Sequence, residues 1–363
     1  MRKRRILTIS TSGLEKKEGI SAIILDYYSG FDRQKFELDI IASGNYSNQL
    51  IKEFQDINVN VHFLPSRKYE IIKYIKAFIL LIREQKYHAI YIHGSSAIMS
   101  LELEIARIYG CKNRIVHSHN TTCKHKILDK LMRPIFYKSY TSALACGVEA
   151  GRWLYGKRKF EVIKNGRIID IYRFDQSKRE QMRIHLGLHE NICAIGHVGN
   201  FNEQKNQKFL IGILNELLSI DCNVKLFLIG DGKYKADVEK MVQEKDLSEY
   251  VCFTGAINSV PDMLQAMDVM VLPSLYEGLP LVAVEWQIAG LPCILSDVIT
   301  KECAYTNIVH FVGLNEGYRE WAKKILSCKS ENRSSIAEMA VQKTRESGFD
   351  LGENIPKLEK YFI

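Results

Sequence analysis

The sequence predicts an α/β protein made of two doubly wound parallel sheets. Three observations carry this expectation. The chain has 363 residues, enough for two domains at ~100–200 residues each. Short apolar runs alternate with amphipathic stretches from end to end. The alternation also lapses over a charged stretch, 170–188, and then restarts. Strand–helix alternation with right-handed crossovers yields parallel sheets covered on both faces, so two series imply two sheets.

The first series places strands over 5–10, 37–42, 59–64, 89–93, 114–117, 143–147 and 161–163. Helices are expected between them over 20–28, 47–55, 70–85, 98–109 and 126–140. In the helix over 70–85, Ile71, Ile75, Phe78, Ile79 and Ile82 share one side, with Lys73, Lys76 and Arg83 away from it, so that stripe is expected to face the sheet. The second series places strands over 193–198, 225–229, 251–254, 269–272, 293–295 and 309–312. Its helices are expected over 208–218, 234–244, 261–266, 280–289 and 317–327, with a last helix over 355–362. The expected domains are 1–170 and 171–345, followed by a helical segment, 346–363, that packs back on the first domain.

Hydrophobic residues make up 46% of the chain and charged residues 25%, which excludes a disordered chain, a fibrous repeat and a disulfide miniprotein. The nine cysteines form no Cys-x-x-Cys pair and no Cys/His zinc spacing. Cys146, Cys193, Cys252 and Cys293 lie inside apolar runs and read as small buried hydrophobes of a reducing compartment. No apolar run approaches the ~18 residues of a membrane span. The basic start, Met1-Arg-Lys-Arg-Arg5, leads into a stretch too short and polar for a signal peptide. The expected location is therefore cytoplasmic.

The net charge of +8 conceals an asymmetry. Residues 1–180 hold 32 Lys and Arg against 18 Asp and Glu, a balance of +14, and the remainder balances at −6. A cationic first half points to an anionic partner. No zinc finger, RNA-recognition signature or Lys/Arg block supports nucleic acid, which leaves an anionic membrane surface. The run Lys124-His-Lys-Ile-Leu-Asp-Lys-Leu-Met-Arg133 is the better candidate for that contact, with Lys124, Lys126, Lys130 and Arg133 exposed.

The most informative segment is Pro273-Ser-Leu-Tyr-Glu-Gly-Leu-Pro-Leu-Val-Ala-Val-Glu-Trp-Gln-Ile-Ala-Gly-Leu-Pro292. It follows a buried strand, allows a tight loop at Gly278 and starts a helix at Pro280. The loop therefore feeds a helix N-terminus at the C-terminal edge of a parallel strand, where ligands bind in open α/β sheets. Free N–H groups from Gly278 through Leu279 to Val282 and the helix dipole favour an anion, of which phosphate is the natural case. Glu277 stands in the loop and Glu285 lies about one and a half turns into the helix. A carboxylate accepts two hydroxyl hydrogen bonds, so the pair suits a sugar on one side of a phosphate and a ribose on the other. The plain alternative is two solvated glutamates. The apolar neighbours of Glu285 (Val282, Ala283, Val284, Ile288, Ala289) argue against it.

This segment resembles the donor-site signature of the retaining glycosyltransferases of family 4, which carry two glutamates separated by seven residues after Pro-Ser. Here it reads Pro273-Ser274, Glu277-Gly278, Glu285, Ala289-Gly290 and Pro292. The likeness extends to Gly196-His-Val-Gly-Asn-Phe-Asn-Glu-Gln-Lys-Asn206, to Leu228-Ile-Gly-Asp-Gly232, to Phe253-Thr-Gly255 and to Asn165-Gly166. Within the family it is most similar to bacterial capsule and exopolysaccharide transferases. The resemblance implies the GT-B fold, two Rossmann-like domains facing a central cleft, the first binding the acceptor and the second the nucleotide sugar.

It also implies roles. Glu277 would contact the transferred sugar, Glu285 the ribose hydroxyls and Lys205 the donor diphosphate. Gly230 belongs to the next strand-end loop of the donor site. Asn200 occupies the place of an arginine that usually accompanies the lysine, a departure that removes a charge. His119, in the run His117-Ser-His-Asn120, matches a histidine near donor sugar and acceptor, where a side chain titrating near neutrality can steer a proton. His93 ends the preceding strand and is a second candidate, while His117 is expected to point into packing. In the first loop the family's adjacent glycines are replaced by Glu18-Gly19, so Gly19 alone remains.

The expected function is therefore retaining transfer of a sugar from a nucleotide-sugar donor, a UDP-sugar, to a hydroxyl of a lipid-linked glycan in capsule or exopolysaccharide synthesis. The enzyme would sit peripherally at the inner face of the plasma membrane. No Asp-x-Asp site is present, and the reading requires neither a metal nor another cofactor. Two alternatives remain open: a nucleotide-sugar epimerase on the same frame, and a catalytically weak nucleotide-binding subunit of a transferase complex. Sugar release without an added glycan would favour the first. Turnover by the purified chain would dispose of the second.

Overall fold

The computed structural model describes residues 3–15, 19–221, 223–257, 259–328 and 333–363, so the expectation at Glu18 lies outside the described residues. The chain divides into two compact units, residues 1–165 with 351–363, and residues 166–350.

The first unit contains a seven-stranded parallel sheet: β1 (Arg4–Ser10), β2 (Phe36–Ser43), β3 (Asn60–Leu64), β4 (Ala89–Gly94), β5 (Asn113–Ser118), β6 (Ser142–Ala145) and β7 (Glu161–Val162), in the order β3-β2-β1-β4-β5-β6-β7. The second contains a six-stranded parallel sheet: β8 (Cys193–Val198), β9 (Val224–Ile229), β10 (Val251–Gly255), β11 (Val269–Leu272), β12 (Cys293–Ser296) and β13 (Val309–Val312), in the order β10-β9-β8-β11-β12-β13. The order reverses between β1 and β4 and between β8 and β11, and ligands bind outside the strand ends at such reversals. Both sheets are buried on both faces; Ile6, Leu7, Ile90 and Ile92 are sealed in the first, and Val269, Met270, Val271 and Leu272 in the second.

The helix Ile71–Gln85 buries Tyr74, Phe78, Leu81 and Ile82 and leaves Ile71 and Ile72 exposed, a face rotated from the expected stripe. Tyr74 takes the inner position because its hydroxyl donates to the sealed carboxylate of Glu102, 3.2 Å away. A helix over Val148–Tyr155 was not anticipated, because Gly151 weakens its signal. A Cβ there would collide with the Phe160 ring, so the packing demands the glycine.

The charged stretch after residue 170 also folds. Asp175 caps the helix Gln176–His185 by accepting from the Lys178 N–H, and Arg179 and Arg183 donate to the carbonyls ending the helix Val260–Ala266 and to Asp268. Its charges satisfy carbonyls that a helix C-terminus leaves open. Arg333, opening a further helix (Arg333–Glu346), donates to the carbonyls of Leu264, Gln265, Met267 and Ala289. The C-terminal helix Leu351–Glu359 belongs to the first unit: Asn354 donates to the Lys164 carbonyl, and Phe362 packs edge-on against Phe36 and Tyr91. Among the described residues, no helix is long and apolar enough to cross a membrane. Of the eight described cysteines, six are buried.

Candidate active site

In the second unit, the loops following β8 and β11 meet at the reversal of strand order. The Leu275 N–H donates to the Gln204 carbonyl at 2.8 Å, and Asn206 Nδ2 donates to the Pro273 carbonyl at 3.2 Å. These contacts bring Lys205 and Glu277 together. Lys205 Nζ lies 2.6 Å from Glu277 Oε1, and both side chains are mostly buried. Ser274 Oγ donates to the same oxygen at 2.9 Å, and Gln204 Nε2 donates to Oε2 at 3.1 Å. Two residues with separate expected duties are therefore partners, and Gln204 and Ser274 join them. Both additions stood inside the motif runs, but only their contact with the carboxylate reveals them.

Glu277 leads into the helix Leu281–Ile288. Its N-cap is Pro280, which provides no side-chain cap, so the first turn presents open N–H groups. Gly278 is exposed, its φ is outside the left-handed region, and a Cβ there would meet nothing within 4 Å. The chain bends at Gly278, but its own packing does not demand a glycine there, and the space beside the helix N-terminus is open. Leu279 is partly buried and packs under this helix start.

Glu285 is buried and accepts from Arg167 Nε at 2.6 Å. Arg167 follows the Asn165-Gly166 pair, and its segment is tied down by its N–H donating to the Phe349 carbonyl and by Ile169 packing against Val284 and Ile288. No spacing or motif pairs Arg167 with Glu285 across 118 residues.

Gly230 has φ +143°, and a Cβ there would strike the Gly199 carbonyl, so glycine is required for the two strand-end loops to touch. Asn200 is exposed, and Gln207 Nε2 donates to its carbonyl at 2.9 Å. Beneath this loop the sealed His197 sits 2.9 Å from the Val271 carbonyl through Nδ1, and burial pushes it down to about 4. It is a neutral strut between β8 and β11.

The first unit gathers three histidines at the ends of β4 and β5, beside its own reversal. His93 ends β4, His117 lies in β5 and His119 follows β5. His93 Nδ1 and His119 Nε2 are 2.8 Å apart, one donating and the other accepting, and the Tyr91 hydroxyl lies 2.6 Å from His117 Nδ1. Burial pushes His93 and His119 well below the ordinary histidine value and His117 to about 4, with His117 adding repulsion to the other two. All three are neutral at pH 7. This corrects the expectation that His119 titrates near neutrality, because its ring is sealed although the residue keeps some surface. Among the described residues, His93 Nε2, His117 Nε2 and His119 Nδ1 have no hydrogen-bond partner. One ligand atom from each ring lies within 4.8 Å of the others. The ring planes are inclined to one another by 20–33°.

Gly19 opens the helix Gly19–Ser29, and a Cβ there would meet nothing within 4 Å. The close approach in this region occurs at Gly94, where a Cβ would collide with the Thr11 side chain, while the Thr11 N–H donates to the His93 carbonyl at 3.0 Å. Arg133 also differs from expectation: it binds Asp129, the Tyr137 hydroxyl and the Trp153 carbonyl, and is no free surface cation.

Residues 193–329 match the family described as glycosyl transferases, group 1. The chain is 28% identical to the putative glycosyltransferase EpsF of Bacillus subtilis, over 98% of this chain and 95% of that protein. It is 26% identical to the UDP-Gal:alpha-D-GlcNAc-diphosphoundecaprenol alpha-1,3-galactosyltransferase of Escherichia coli, over 95% and 93%. The fold matches Anabaena Alr3699/HepE in complex with UDP, with a TM-score of 0.79, 16% identity and 98% of each chain covered. It also matches a glycosyltransferase from Rickettsia africae, with a TM-score of 0.81, 16% identity and 99% and 98% coverage. The architecture is that of GT-B glycosyltransferases.

Proposed function

Starting from a GT-B glycosyltransferase whose second unit carries the group 1 glycosyl transferase domain, we propose that this enzyme moves a hexose from a UDP-sugar to a hydroxyl of a lipid-linked glycan, with retention of anomeric configuration, in exopolysaccharide or capsule synthesis. The observation that carries the reading is the Lys205–Glu277 pair beside an uncapped helix N-terminus at the β8/β11 reversal. The name of the full-length E. coli relative, with its UDP-galactose donor and diphosphoundecaprenol-linked acceptor, supports the choice of substrates.

The donor diphosphate lies against the N–H groups at Gly278 to Val282, where the helix dipole and Lys205 oppose its charge. Gly230 and Asn200 line the neighbouring strand-end loops. Glu285, steadied by Arg167, accepts from the ribose hydroxyls, and Glu277 accepts from hydroxyls of the transferred sugar. Glu277 is already held by three donors, which makes it a poor nucleophile and favours front-face attack. The acceptor oxygen forms a bond to the anomeric carbon while the bond from that carbon to the phosphate oxygen breaks. The electron pair stays on the diphosphate, whose oxygen takes the acceptor's proton. His119 offers a neutral Nδ1 without a partner, able to engage a hydroxyl without carrying charge. No step requires a metal.

The test is a donor screen with the purified chain, followed by NMR of the product's anomeric centre. A UDP-sugar that raises the Tm and yields retained product supports the reading. Inverted product rejects retention, and sugar release without an added glycan points to the epimerase instead.

A further inference from the structure

The helix Lys126–Ser139 in the first unit has two apolar faces. Its inner face buries Phe136 and the carboxylate of Asp129, which accepts from the Ala97 N–H at 2.7 Å, from Ser96 Oγ at 3.0 Å and from Arg133 Nε at 2.8 Å. A helix anchored on one side normally turns polar residues outward. Here the opposite side carries Ile127 and Leu131, 81% and 68% exposed, with Leu128 and Ile135 close to half exposed. At 100° per residue these four fall in one stripe about 100° wide, turned away from Phe136.

The charges around this stripe have one sign. Lys124, Lys126, Lys130 and Lys138 are exposed, and the helix's single acid is the buried, paired Asp129. An exposed aliphatic ridge flanked by lysines is the composition of a helix lying in a bilayer interface, with aliphatic side chains below the headgroups and ammonium groups among anionic phosphates. A second copy of the chain fits poorly. A two-fold interface would set the lysines of one protomer against those of its partner.

We propose that this helix docks the enzyme on an anionic lipid surface by inserting Ile127 and Leu131, with the lysines holding the headgroups. The inference deepens the reading above, since it supplies the place where a lipid-carried acceptor is met, but it rests on this helix and not on the donor site.

The test uses the full chain and vesicles of phosphatidylcholine with and without phosphatidylglycerol. Co-sedimentation is expected with the anionic vesicles. Salt should weaken it without abolishing it, because the apolar contribution is unscreened. The double variant Ile127→Ser/Leu131→Ser should bind the same vesicles at least about tenfold more weakly, with unchanged Tm and unchanged transfer to a soluble acceptor. In Leu131→Trp, the indole emission should shift to the blue on vesicle addition. Vesicle binding equal in wild type and the double variant, or no binding to anionic vesicles, overturns the proposal. Concentration-dependent dimerisation abolished by the double variant overturns it in favour of a second copy. Failure of donor binding or transfer would sink the catalytic reading and leave this result standing.

Discussion

Lys205 Nζ and Glu277 Oε1 are joined at 2.6 Å, in a pair with 16% and 10% of the side chains exposed. On the proposed reading, the cation meant for the diphosphate and the carboxylate meant for the sugar are paired with one another before donor binds. Replacing Lys205 with Ala should weaken UDP affinity about tenfold and leave Glu277 mostly buried without its cation, lowering stability by roughly 1–3 kcal/mol. Glu277→Gln keeps the shape and removes the charge. It should depress turnover about a hundredfold or more with a smaller change in UDP affinity. Calorimetry beside initial rates checks both. A Glu277→Gln enzyme with wild-type turnover would remove that residue from the reacting centre.

Glu285 and Arg167 make a second such pair, more deeply buried. Glu285→Ala should cost about tenfold or more in nucleotide affinity, because a charge-assisted hydrogen bond contributes roughly 1.5–3 kcal/mol. Arg167→Lys should weaken nucleotide binding less, since an ammonium can hold the carboxylate without the guanidinium's planar fork. Equal nucleotide affinity in folded Glu285→Ala and wild type would reject the ribose role.

Asn200 is exposed at the loop after β8, so a longer side chain can be placed there without displacing core. Asn200→Arg should tighten UDP binding at low salt, and the gain should shrink as salt rises. If the variant binds UDP no better at low salt, this position does not face the diphosphate.

The sheets were legible because each strand is a short apolar run between amphipathic helices, and all thirteen strands fall where those runs fall. The helices of 148–155, 176–185 and 333–346 were not. Gly151 hides the first, and the other two carry arginines whose work is to satisfy distant carbonyls, which periodicity does not register. The same limit applied to the site. Glu277 and Glu285 could be singled out by their spacing and context, and Lys205 and His119 by the resemblance, whereas the Arg167 contact depends on a chain path closed 118 residues later. Burial of His119 was equally invisible, since His117-Ser-His-Asn120 reads as a polar strand end.

Burial of neutral histidines makes stability depend on pH. His117 and His197 are held at about 4 against the ordinary 6.5, and His93 and His119 are lowered in the same sense. Between those values the unfolded chain binds more protons than the folded one, so stability rises with pH. The contribution is fully present above about 6.5 and is lost as pH falls toward 4. The urea midpoint should therefore drop between pH 6.5 and 5, before most carboxylates titrate. His197→Gln should flatten part of that slope. A midpoint constant over this range would show that these rings are protonated without penalty.

His119 and His93 form the last test. His119 Nε2 is occupied by His93 Nδ1 at 2.8 Å, while Nδ1 is buried without a partner, and the proposed reading has the acceptor hydroxyl engage it. His119→Ala should lower turnover about a hundredfold or more while UDP affinity changes little, the pattern of an interaction made mainly in the transition state. If His93 acts through His119 by fixing its ring and tautomer, His93→Ala should give a smaller loss, and His93→Asn, which restores a polar partner, should recover part of it. Both rings are neutral at pH 7, so wild-type turnover should show no titration from His119 between pH 6 and 8. A rate that falls through a single ionisation near 6.5 in wild type, and no longer does so in His119→Ala, would mean that the ring is charged during turnover. A His119→Ala enzyme that turns over at the wild-type rate would move the role to His93 or His117.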